Sequence, residues 1–114
     1  MATALDFNRR KFFRLTYPES YRPKVKIYGD IHFVSQVSER GVVLLIPDLP
    51  HRKIGAKFVA LIEFSDKTTL KIGGRILRIE GNKVIGQLSE SIDFKRINEE
   101  QRQLKLKFPA YKPT

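Results

Sequence analysis

Apolar and polar positions alternate along most of this chain, the pattern of strands with one face in a core and one in solvent. Phe13, Leu15 and Tyr17 share one face, with Arg14 and Thr16 on the other. Pro18 and Pro23 bracket a turn. Lys24-Val25-Lys26-Ile27-Tyr28 then alternates as a half-buried antiparallel strand does. Gly29-Asp30 punctuates, and Ile31 to Val37 continues as extended chain. Val42 to Ile46 is an apolar run of strand length closed by Pro47. Asp48 to Gly55 reads as a loop carrying Pro50 and the basic trio His51-Arg52-Lys53. Phe58 to Phe64 is a further strand, and Ser65-Asp66-Lys67 turns it into Thr68 to Ile72. Gly73-Gly74 predicts a bulge or bend, since Arg75 to Ile79 resumes the alternation. Glu80-Gly81-Asn82-Lys83 is a hairpin turn, and Val84 to Leu88 is the last strand.

The period then changes. Phe94, Ile97, Leu104 and Phe108 fall on one helical stripe that Gln101 interrupts. Ser91 is placed to cap the helix, Asp93 suits its N-terminus, basic residues crowd its far end and Pro109 stops it. The spacing predicts a helix over about residues 91–108 that buries Phe94, Ile97 and Leu104. The fold class is therefore mainly β: a small antiparallel β-barrel of six to seven strands over about residues 13–88, with a C-terminal α-helix. Residues 1–8 have little pattern and read as a flexible N-terminal segment; residues 9–114 read as one domain.

Composition narrows the chemistry. A chain of 114 residues can bury a core without metal or disulfide staples, and with no cysteine it has neither thiol catalysis nor zinc–thiolate sites. No apolar run approaches a membrane span or a signal peptide, so a cytoplasmic protein is expected. The net charge of +10 favours an anionic partner or, in the plainer reading, a solvated basic surface. The two histidines stand far from motif partners: His32 lies within a strand, and His51 follows Pro50 in a loop. Metalloprotease, phosphate-loop and nucleophile-elbow motifs are missing. A binding protein is expected, not an enzyme, with no catalytic residues, metal or resident cofactor.

The densest feature is Arg9-Arg10-Lys11-Phe12-Phe13-Arg14. On an extended chain Arg10 and Arg14 share a face about 13 Å apart, and a bent chain brings them closer. Arginine offers a planar fork to phosphate oxygens or to guanine O6 and N7, and it stacks on purine faces. A solvated charged edge is the alternative. The second feature is Gln36-Val37-Ser38-Glu39-Arg40-Gly41, where a strand turns sharply and restarts. There Ser38 serves a ligand or the turn backbone equally well. Gly41 is expected to hold a backbone conformation that a side chain would obstruct.

Together the two stretches resemble the signature motifs of the PilZ domain, a bacterial receptor module for the second messenger cyclic di-GMP. Arg10 and Arg14 match its Arg-x-x-x-Arg, with Arg9 as an additional arginine. Ser38 and Gly41 match its Asp/Asn-x-Ser-x-x-Gly, and the apolar run after Gly41 and the closing helix fit its layout. The resemblance covers roughly residues 8–108. It implies that Arg9, Arg10 and Arg14 grip the phosphates and guanines from the N-terminal segment. Gln36, Ser38 and Gly41 would then present the barrel side. The departure is Gln36, one methylene longer than the family's Asn, with more rotamer entropy to lose on binding.

The resemblance also implies a role in motility or biofilm regulation. No output domain is expected, so the response is expected to pass through a downstream protein partner or through an oligomer, the chain acting as monomer or homodimer. Two alternatives remain in this reading. One is a PilZ-like adaptor that binds a motility or secretion protein without nucleotide. The other, ranked last, is a small basic barrel for nucleic acid, motivated by the charge and by Arg102, Lys105 and Lys107. Exposed aromatics on a strand surface would favour that last reading.

Overall fold

The alternation is realised as burial. The computed structural model describes residues 14–47 and 53–110. Among them seven strands form one antiparallel sheet: β1 (Leu15–Thr16), β2 (Lys24–Ile27), β3 (Asp30–Val37), β4 (Gly41–Leu45), β5 (Lys57–Glu63), β6 (Thr69–Glu80) and β7 (Lys83–Leu88). A short 3-10 helix, Glu19–Tyr21, connects β1 to β2, and α1 (Phe94–Lys107) follows the sheet. Six strands close into a barrel in the order β3, β2, β5, β6, β7, β4 and back to β3. β3 is long enough to pair twice along one edge, through Asp30 to Phe33 with β2 and through Gln36 and Val37 with β1. β1 is thus the extra strand beside a six-stranded barrel.

Inward positions such as Val25, Val34, Val42, Leu44, Ile62, Ile76 and Val84 are almost fully buried and fill the barrel. Each aliphatic side chain of this kind contributes about 1.5–3 kcal/mol on leaving water. The β2–β3 connection has two residues, Tyr28 and Gly29, both with positive φ (55° and 80°). That is the primed turn whose twist suits a tight hairpin.

The glycine pair behaves differently from the expectation. β6 runs through Gly73 and Gly74 without a register break, and the shift lies between Ile76 and Arg78. Gly74 permits a close approach instead: a Cβ there would collide with the carbonyl oxygen of Gln87 on β7.

α1 packs Ile97, Glu100 and Leu104 against the barrel, each at most 2% exposed. Phe94, expected in that stripe, is 48% exposed. At about 100° per residue it lies roughly a quarter-turn off the line through the three buried positions. The cap is Asp93, whose carboxylate accepts from the Lys95 amide at 3.0 Å; Ser91 instead accepts from the Arg40 guanidinium at 3.1 Å. The carboxylate of Glu100 accepts from the Tyr17 hydroxyl at 2.7 Å and faces Arg96 at 3.7 Å. The Arg96 guanidinium also lies 4.7 Å over the Phe64 ring and 3.6 Å from Asp66. At the far end Phe108 meets Tyr21 edge-on, 5.6 Å between ring centres. No helix among the described residues is long and apolar enough to cross a membrane.

Candidate functional site

The outer face of β3, β4, β7 and β6 carries a depression of about 210 Å³. Arg14, Gln36, Ser38 and Gly41 all line it, so the fold gathers four of the six residues singled out from sequence. Arg9 and Arg10 lie outside the described residues. Arg14 is exposed immediately before β1, at one rim.

Register explains the convergence. Thr16, Gln36, Val43, Ile85 and Arg78 are successive cross-strand partners on β1, β3, β4, β7 and β6. Neighbouring strands lie about 4.8 Å apart, so from Gln36 to Arg78 the row follows the barrel surface for about 14 Å. Val43 and Ile85 make its apolar floor. Gln36 Nε2 donates to Thr16 Oγ1 at 2.9 Å, which fixes the amide and leaves its Oε1 as an acceptor.

The turn between β3 and β4 closes one end. The Ser38 amide donates to the Gly41 carbonyl at 2.9 Å, and the Ser38 hydroxyl reaches the same oxygen at a weak 3.4 Å. The turn is also tied to the lead into α1. The Ile92 amide donates to Glu39 O at 2.7 Å, and the Leu88 amide to Arg40 O at 2.9 Å.

Gly41 departs from expectation. The described glycines with positive φ are Gly29, Gly55 and Gly81, so Gly41 has no glycine-only backbone. It opens β4 as ordinary extended chain. A Cβ would sit 3.4 Å from the Gly86 carbonyl and 3.5 Å from Ser38 Oγ, in ordinary contact. The bare α-carbon therefore keeps the pocket wall low.

Val43, Leu77, Arg78 and Ile85 also line the depression, with Val37 and Val42, and were not singled out from sequence as site residues. The register shift in β6 brings Leu77 and Arg78 to the outside together; Leu77 is 50% exposed. A signal was present, because the adjacent apolar pair Ile76-Leu77 breaks the alternation. Arg78 Nε is paired with Glu80 Oε2 at 2.7 Å, both side chains more than half exposed.

Other features compete poorly as sites. A groove of about 520 Å³ runs along the solvent side of α1 between side chains such as Lys95, Glu99 and Arg102. A single helix supplies its walls. His32 is half-buried in β3 opposite Val25, and His51 lies outside the described residues. Among the described residues no three His, Asp or Glu side chains converge as a metal site would require.

No family model matches the chain. No curated protein matches it either. Among solved structures, that of the Bacillus subtilis inhibitor of motility (MotI/DgrA) matches with a TM-score of 0.62 at 16% sequence identity. The match covers 90% of this chain and 53% of that one, so the chain spans about half the length of that structure. The likeness is one of fold: the barrel with its closing helix is an architecture this chain shares with that inhibitor of motility.

Proposed function

We propose that this chain is a PilZ-type receptor for cyclic di-GMP and no enzyme. One observation carries the reading: Arg14, Gln36, Ser38 and Gly41, from two separate stretches of sequence, line one depression on the barrel wall. The ligand's chemistry fits that lining. Arg14, with Arg9 and Arg10 from the segment before it, supplies forks for phosphate oxygens and guanine edges. Gln36 Oε1 accepts from a guanine N–H, and Val43, Leu77 and Ile85 offer apolar contact to a base face. The fold shared with an inhibitor of motility supports a signalling role of this kind.

Output follows from the backbone bonds that join the Ser38–Gly41 turn to the lead into α1. A ligand that pulls on the turn displaces the helix entry, which a downstream protein partner reads. Calorimetry with cyclic di-GMP, with GTP as control, tests the proposal. Micromolar or tighter binding of the cyclic ligand and far weaker binding of GTP are expected. Equal affinities would reduce the cluster to a general anion site.

A second reading is the adaptor without nucleotide. It is favoured by an outer face on β3, β2, β5 and β6 where exposed Ile31, Phe33, Val59 and Leu61 sit among Lys24, Lys26 and Lys71. That surface suits a protein partner with carboxylates around an aliphatic centre. For nucleic acid the same face is poor: Phe33 is the one exposed strand aromatic among the described residues, where stacking needs several.

A further inference from the structure

The Arg78–Glu80 pair stands at the opposite end of the pocket from Arg14, outside both sequence motifs. We propose that Arg78 is a further ligand-contacting residue and that Glu80 sets the affinity of the site by competing with the ligand for it. The inference rests on the nucleotide reading above.

Three features of the fold lead there. The register shift between Ile76 and Arg78 turns Arg78 outward into the cross-strand row that begins at Thr16 and Gln36. Without that shift the strict alternation of β6 would send it to the other face. Arg78 also lines the same depression as Arg14, Gln36 and Ser38. The row from Gln36 to Arg78 is about 14 Å, too long for one phosphate but within reach of a ligand carrying two phosphates and two bases. Finally, Arg78 already has a carboxylate partner, Glu80 Oε2 at 2.7 Å. An exposed pair of this kind is held weakly, so a phosphate or a guanine edge that offers a bidentate match displaces the carboxylate.

In the free chain the carboxylate holds the guanidinium at the rim. In the bound chain Arg78 turns to the ligand, and Glu80 is left to solvent as a negative charge beside an anion. Glu80 therefore opposes binding twice, by occupying the arginine and by repelling the phosphates. Leu77, exposed beside Arg78, gives the base an aliphatic surface on which to lie while the fork engages its edge.

The test is a double-mutant cycle on the full chain, read by calorimetry with cyclic di-GMP and accompanied by thermal melts. Arg78→Ala should weaken binding about tenfold or more, and Arg78→Lys should recover only part of the loss. Glu80→Gln should tighten binding severalfold in the parent chain and clearly less in the Arg78→Ala background, where only the repulsion of the phosphates is left to remove. Melting temperatures should hardly move, because both side chains are largely exposed. If the parent chain binds and Arg78→Ala binds equally well, this inference falls and the nucleotide reading stands. If Glu80→Gln tightens both backgrounds equally, Glu80 acts as bulk charge and the competition is refuted. A parent chain that gives no heat with cyclic di-GMP overturns both.

Discussion

Gln36 carries the site's departure from the motif it resembles, and the structure gives the longer side chain a task. Its amide nitrogen is engaged by Thr16, so the extra methylene reaches a neighbouring strand and orients the remaining acceptor. Thr16→Val should therefore weaken cyclic di-GMP severalfold while the melting temperature stays nearly constant, since it frees the amide to rotate. Gln36→Asn, one methylene too short to keep that bond, should weaken binding likewise, and held or improved affinity would show that a short amide reads the guanine without the anchor. A large loss would show that the anchored Gln is this chain's own arrangement. Arg10→Ala and Arg14→Ala should each cost the roughly 1.5–3 kcal/mol of a hydrogen bond to a charged group, about tenfold or more in affinity. Unchanged binding in both would remove the basic cluster from the site. At Gly41 the ordinary backbone changes the expected outcome of substitution. Gly41→Val should lower affinity by raising the pocket wall and leave the fold largely intact, β-branched residues being at ease in strands.

At the scale of elements, α1 is held by a carboxylate that the hydrophobic pattern did not reveal. Glu100 is 2% exposed, and burial raises its pKa despite the Tyr17 hydrogen bond and the Arg96 charge. The folded state thus favours the protonated acid. The stability this group contributes is fully present below the unfolded pKa and is lost as pH rises through the higher folded one. Glu100→Gln abolishes the titration. The melting temperature of that variant minus that of the parent should therefore rise between about pH 4 and about pH 8. Asp66, whose carboxyl is held low first by hydrogen bonds from Thr68, acts in the opposite sense. It is present in both chains and cancels in the difference. A difference that falls with pH would mean that Arg96 outweighs burial. Gly74→Ala supplies a test of β6–β7 packing. Its Cβ would meet backbone that has no side chain to move aside, so melting several degrees lower is expected.

The sequence disclosed the strands and withheld how they meet across the barrel. Period-two alternation made nearly every strand legible, because core burial acts on each side chain separately. Which turn residues meet across the barrel depends on register, a non-local property. The motif supplied Ser38 and Gly41; the pairings of β4, β7 and β6 supplied Val43, Ile85 and Arg78. A stripe drawn through apolar residues alone passes over the buried Glu100 and so takes in Phe94, which the helix leaves exposed.

For the whole molecule the governing quantity is a net charge of +10 on 114 residues. It should act on binding and on stability with opposite signs. Like charges on a small barrel repel one another, and an anionic ligand is drawn in by their summed field. Raising salt from about 0.1 M to about 1 M shortens the Debye length from about 10 Å to about 3 Å. The affinity for cyclic di-GMP should fall across that range while the melting temperature rises slightly as repulsion is relieved. The short-range part of recognition should survive: the ratio of parent to Arg14→Ala affinity should change much less than either affinity alone, because a bidentate contact lies inside even the shortest screening length. Titrations of both chains at the two salt concentrations decide the matter. If the ratio collapses towards one at high salt, Arg14 serves only as part of a diffuse positive field. If it persists, the barrel wall is a shaped site, with the surrounding charge bringing the ligand to it.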